Sequence, residues 1–154
     1  MRRTLTKAGT LAAVSMCTLA LAVPAAQAAQ QDGTAAATAA SSTAYFEFTD
    51  GRNTFVFKLN DTAKIKQARD ILSGVDKENR SVMGRVVKAP ASYNQPWKYT
   101  LAPESVKFFS MAVEVCDASI SYVNDHLSEV GGALLPGSTW CPWSSKLTRE
   151  VTAP

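Results

Sequence analysis

Tyr45-Phe46-Glu47-Phe48-Thr49 and Thr54-Phe55-Val56-Phe57-Lys58-Leu59 each place bulky apolar side chains at every second position, and Asp50-Gly51-Arg52-Asn53 lies between them. A period of two marks a strand with one buried face, and Asp-Gly between two such segments predicts a hairpin. A chain that begins its fold this way must cover a sheet face lined with rings. An all-helical fold is excluded.

The rest of the chain divides around that hairpin. The six Phe, four Tyr and three Trp all lie at or beyond Tyr45. Upstream, Arg2, Arg3 and Lys7 precede an uncharged apolar stretch, Ala8 to Val23, and Ala26-Gln27-Ala28 has the small side chains of a cleavage site. Residues 1–28 read as an export signal cut after Ala28, and Arg2-Arg3 leaves both the general and the twin-arginine route open. Residues 29–42 contain no Val, Ile, Leu or aromatic side chain and read as a flexible tether, with residues 43–154 as one globular domain. The formal net charge of +3 comes from the three leader cations, so the exported chain is neutral. A neutral chain without a basic block argues against nucleic acid as a partner, and no segment has the length of a lasting membrane anchor.

Beyond the hairpin, Asn60 or Asp61 caps a helix carrying Ile65, Ala68, Ile71, Leu72 and Val75, and Gly74 ends it. Val82 to Lys88 and Trp97 to Leu101 read as strands. Val106 to Cys116 reads as a long strand, with Phe109, Met111, Val113 and Val115 sharing one face. Asp117 is expected to cap a second helix that turns Ile120, Val123, Leu127 and Val130 inward and stops at Gly131-Gly132, and Ser145 to Val151 is the last strand. The expected fold class is α+β: a single antiparallel sheet in the order ββαβββαβ with both helices packed on one face.

With Cys17 removed in the leader, Cys116 and Cys141 remain, and an oxidising destination predicts one disulfide between them. The rival reading makes Cys116 a nucleophile with His126 as its base. A pair of carboxylates, Glu114 and Asp117, is the glycosidase alternative. His126 is the only histidine, and no metal-ligand, phosphate-loop or serine-hydrolase motif is present, so no catalytic residue, metal or cofactor is assigned. Asn60-Asp61-Thr62 and Asn79-Arg80-Ser81 match glycosylation acceptors, relevant only in a eukaryotic secretory host.

Two loops combine proline with large aromatics: Lys88 to Trp97, and Leu135 to Trp143. Stiff loops bearing rigid rings lose little entropy on contact and suit protein or sugar binding. The candidate ligand-binding residues are therefore Arg85, Lys88, Tyr93, Trp97, Trp140 and Trp143. For each tryptophan the alternative is that it plugs the core.

Gly84-Arg85-Val86-Val87-Lys88, Tyr93-Asn94-Gln95-Pro96-Trp97, Phe108 to Asp117, His126 to Gly132, and Leu135-Pro136-Gly137 followed by Trp140-Cys141-Pro142-Trp143 resemble the N-terminal domain of a calmodulin-binding protein family with many small exported bacterial relatives. The likeness runs from about Tyr45 to Val151. It implies one intact domain and no catalytic residues. Calmodulin targets present basic amphipathic helices, whereas Lys64 to Val75 mixes charges, so the resemblance carries the domain and not that ligand. The expected function is a secreted, non-enzymatic binding domain that engages a secreted or surface protein. The alternatives are a cell-wall glycan as ligand, or a small hydrolase.

Overall fold

The computed structural model describes residues 42–112 and 114–152; the leader with Cys17, nearly all of the tether, and Val113 of the expected long strand lie outside them. The hairpin forms as the alternation predicts. Strands β1 (Ala44–Thr49) and β2 (Thr54–Leu59) pair antiparallel, with Phe46 opposite Phe57 and Phe48 opposite Phe55. Asp50 closes the turn by accepting from the N–H groups of Arg52 and Asn53 at 2.9 and 2.8 Å, while Gly51 takes the left-handed conformation the turn requires. Helix α1 (Thr62–Ser73) is capped by the Asp61 side chain and ended by a left-handed Gly74.

The single sheet of the sequence expectation is replaced by several. β9 (Lys146–Val151) joins β1 to give the order β2-β1-β9. A second sheet is built on β3 (Ser81–Val87), which pairs with β4 (Thr100–Leu101), β5 (Lys107–Phe109) and β8 (Thr139–Trp140). A small parallel pair, β6 (Val130–Gly131) with β7 (Leu134–Pro136), stands apart from both. The chain order is as expected through α2 (Ile120–Asp125), after which three short strands precede the last one.

The rings on the inner face of β1 and β2 meet the second sheet rather than a layer of helices. Trp140 lies 5.7 Å from Phe48 and 5.3 Å from Phe55, Tyr99 lies 5.0 Å from Phe55, and Phe57 meets Phe108 at 6.4 Å, ring centre to ring centre. Ile65 and Ala68 of α1 and Ile120 and Val123 of α2 complete the same core.

Four local expectations change, each because backbone groups find other partners. The Val106–Cys116 strand stops at Phe109; the chain bends at Ser110, and Glu114–Cys116 is a 3-10 turn. Met111 and Val115, expected on a packed face, are 87% and 69% exposed. Only Thr100 and Leu101 of the Trp97–Leu101 segment pair with β3. Lys98 instead donates its N–H to Asn124 Oδ1 at 3.0 Å, and the Tyr99 carbonyl accepts from Asn94 Nδ2 at 3.0 Å. Ser119, not Asp117, caps α2, and His126 ends it well before Gly131. Val130 consequently belongs to β6.

Candidate functional site

β3 alternates strictly. Val82, Gly84 and Val86 point into the core, while Ser81, Met83, Arg85 and Val87 face outward. Gly84 has a packing reason: a Cβ there would sit 3.3 Å from both methyl groups of the buried Leu101. On one edge of β3, the Arg85 carbonyl accepts from Ala102 N and its N–H donates to Ser105 Oγ, and β4 and β5 follow along that edge. On the other edge, Val86 donates to the Ser138 carbonyl and Val82 to Ser145 Oγ, beside β8. Among the described residues β5 pairs with β3 alone, so its far edge is open.

The outward face of this sheet ends in a groove. Phe109 stands opposite Ser81, and the bend at Ser110 brings Met111 and Ala112 round to the same place. Trp143, 43% exposed, forms another wall. The groove has a volume of about 230 Å³. Its loop is fastened at several points. Cys116 and Cys141 form a disulfide, Cys141 N donates to the Cys116 carbonyl at 2.7 Å, and Trp143 N donates to Asp117 Oδ1 at 3.0 Å. The disulfide expected from the cysteine count is present, and Asp117 anchors this loop instead of capping α2. Along the same face, Met83, Arg85, Ser105, Lys107 and Thr139 line a second shallow depression. Arg85 is ion-paired with Glu104, whereas Lys107 has no ion pair or side-chain hydrogen bond among the described residues.

The six residues singled out from sequence are not gathered into one surface. Trp140 is a correction: it is fully buried, its Nε1 donates to the Ala118 carbonyl at 2.9 Å, and it has no surface to offer a ligand. Tyr93 and Trp97 sit on the edge of β2. Tyr93 packs on Tyr45 with ring centres 5.0 Å apart, Trp97 Nε1 donates to the Thr54 carbonyl at 2.7 Å, and the buried Asn94 between them accepts from Val56 N at 2.7 Å. That loop covers an edge strand that would otherwise stand open. Lys88 reaches the Ser128 carbonyl at 3.4 Å. Arg85 and Trp143 remain on the outward face, joined by Phe109, Met111, Met83 and Lys107, which sequence reading missed. Pairs of outward residues on β3 and β5 were visible in the alternation, but the bend that exposes Met111 leaves no periodic trace.

The catalytic alternatives lose their geometry. Cys116 is bonded to Cys141 and has no thiol to ionise. The Asp117 carboxylate is engaged by the Trp143 N–H. His126 stacks on Tyr122 with centres 4.2 Å apart, and its Nδ1 lies 3.1 Å from Glu129 Oε1, a pairing within one helical turn. Among the described residues no group of three or more His, Cys, Asp or Glu side chains is placed to hold a metal ion, and no helix is long and apolar enough to cross a membrane.

These features define a small disulfide-linked α+β domain with two packed sheets and an exposed aromatic groove. Residues 42–154 match the family model described as the BP-74 N-terminal domain, a calmodulin-binding-like family, and the chain belongs to that family. This agrees with the family resemblance read from the sequence blocks. No curated protein and no solved structure matches the chain.

Proposed function

We propose that this chain is an exported, non-enzymatic binding domain that engages a protein partner at the groove between Phe109, Met111 and Trp143. One observation carries the reading. Large apolar side chains are held open to solvent at one place, with Met111 at 87% and Trp143 at 43% exposure, around a groove fastened by a disulfide. Exposed apolar side chains on a rigid support are what protein interfaces use as anchors, and methionine adapts to irregular apolar partners. A sugar site would favour stacked rings edged by polar side chains; here a flexible thioether sits beside the indole. Export is supported by the Arg2 to Ala28 leader pattern and by a disulfide of the kind oxidising compartments preserve.

The test is retention on the immobilised full chain from culture medium and cell-wall extract. Trp143→Ala and Met111→Ser are the groove variants, and Tyr122→Ala, at an exposed ring elsewhere, is the control. The expected result is a polypeptide held by wild type and by Tyr122→Ala, lost from both groove variants, and indifferent to added cell-wall glycan. Equal retention by all four proteins removes the groove from function. Displacement by glycan makes the ligand a carbohydrate.

A further inference from the structure

The chemistry of the partner is written along β5. Lys107 and Phe109 are two residues apart on one strand, so both project outward while Phe108 between them is buried. Phe109 lines the Met111–Trp143 groove and Lys107 lines the neighbouring depression. The cation of Arg85 is taken up by Glu104. Among the described residues, Lys107 therefore presents an uncompensated positive charge about 7 Å along the strand from an apolar anchor site, at the strand rise per two residues.

We infer that the groove takes an extended acidic peptide segment, with one large apolar side chain seated between Phe109, Met111 and Trp143 and a carboxylate two residues away over Lys107. This deepens the reading above and rests on it. The spacing follows from matching periods: an extended peptide lying along β5 turns every second side chain to the same face, so the apolar and acidic groups fall at i and i+2 in either chain direction. The open edge of β5 leaves room for such a segment beside it. The two contacts divide the work. Burial of the apolar side chain supplies affinity, and the charge selects among apolar peptides and weakens as salt rises.

The experiment measures binding of fluorescein-labelled peptides to the full chain by anisotropy at low and high salt. The probes have the form Gly-Ser-Leu-Ser-X-Ser-Gly and the reverse order Gly-Ser-X-Ser-Leu-Ser-Gly, with X as Glu, Gln or Lys, and a further probe places Glu directly beside Leu. The expected result is that Glu at the two-residue spacing binds roughly threefold to fivefold more tightly than Gln in at least one order. Glu beside Leu should lose that advantage, and Lys107→Glu should reverse the preference so that the Lys peptide binds best. Trp143→Ala should weaken every probe alike. If peptides bind and Trp143→Ala weakens them, but Lys107→Glu leaves the Glu, Gln and Lys ratios unchanged, the acidic class is overturned while the groove stands. If no probe binds, or if Trp143→Ala binds as wild type does, the groove reading fails and the inference falls with it. Lys107 is exposed and engages no side chain among the described residues, so its substitution tests recognition and not folding.

Discussion

Asp50 Oδ2 accepts a hydrogen bond from the backbone N–H of Ile120 at 2.8 Å, joining the β1–β2 turn to the first turn of α2 across 70 residues of chain. The other oxygen of the same carboxylate holds the turn itself. One side chain thus closes a local structure and fixes a distant one, and the carboxylate is buried with all its bonds made.

Acid should therefore destabilise the fold at this point. Burial works to raise the Asp50 pKa, but the N–H groups of Asn53, Ile120 and Arg52 outweigh it and hold the carboxyl below the ordinary carboxylate range. Glu47, bonded to Arg149, and Glu150, bonded to Arg69, are shifted the same way. A carboxyl with a depressed folded pKa contributes stability that is fully present above its unfolded value, about 4 for Asp, and is lost as pH falls through the folded value. Urea unfolding followed by tryptophan fluorescence should show stability flat from neutral pH to about 5 and falling below about 4. Asp50→Ala should cost about 2–4 kcal/mol at pH 7, since it strands three N–H donors, and should flatten the acid limb.

Trp140 and Trp143 should behave as opposites although only two residues separate them. Trp140→Ala removes a fully buried ring that touches Phe48, Phe55 and Tyr99, at about 3–5 kcal/mol. Trp143→Ala should change stability by less than about 1 kcal/mol, because much of its ring is already in water. Paired denaturant titrations decide it, and equal losses would put Trp143 in the core.

Reduction should be felt in both stability and the groove. The Cys116–Cys141 bond spans a sequence separation of 25, so opening it should cost about 3 kcal/mol by freeing the unfolded chain. Trp143 lies two residues past one cysteine and Met111 five before the other. Cys116→Ser/Cys141→Ser should stay folded at room temperature, lose thermal stability, and bind the groove's peptides more weakly. Unchanged melting would show that the backbone bond from Cys141 to Cys116 suffices.

Gly131→Ala should destabilise more than an ordinary surface change. Gly131 has φ +89°, and a Cβ there would lie 2.8 Å from Ser138 Oγ. Backbone strain of about 1–2 kcal/mol adds to that contact. Double substitution with Ser138→Gly should recover the contact part only, as read by thermal melting.

The elements legible in the sequence were those whose signals are local. The Phe46/Phe48 and Phe55/Phe57 alternation, the Asp50-Gly51 turn and the Asp61 and Gly74 ends of α1 each sit within a few residues of the structure they specify. The Val106–Cys116 segment misled for a physical reason. Alternation says that Phe109, Met111 and Val115 share a face without saying whether anything covers it, and here nothing does for Met111 and Val115. β6, β7 and β8 are too short to show a period at all. Trp140 and Trp143 have near-identical neighbours in sequence, and what separates them is that Trp140 is drawn inward by pairing opposite Gly84, a contact made across 56 positions of chain. Of the site, Trp143 and Arg85 were readable as residues, but the groove needed the Ser110 bend and the closing disulfide loop to exist.

The pairing of β1 with β9 sets how the domain would respond to pulling. Tyr45 stands opposite Val151, so the first and last strands lie antiparallel with their outer ends side by side. A load applied through those two ends would act on one rung at a time, opening the ladder like a zip from Tyr45 towards Thr49, rather than shearing all its bonds together. The Arg149–Glu47 ion pair, two rungs in, is the first clasp on that path. The strands that carry the groove, β3 and β5, lie in the other sheet, off the line of force. A domain built this way yields early when stretched between its ends, yet it can hold firmly when a cargo tugs on its groove.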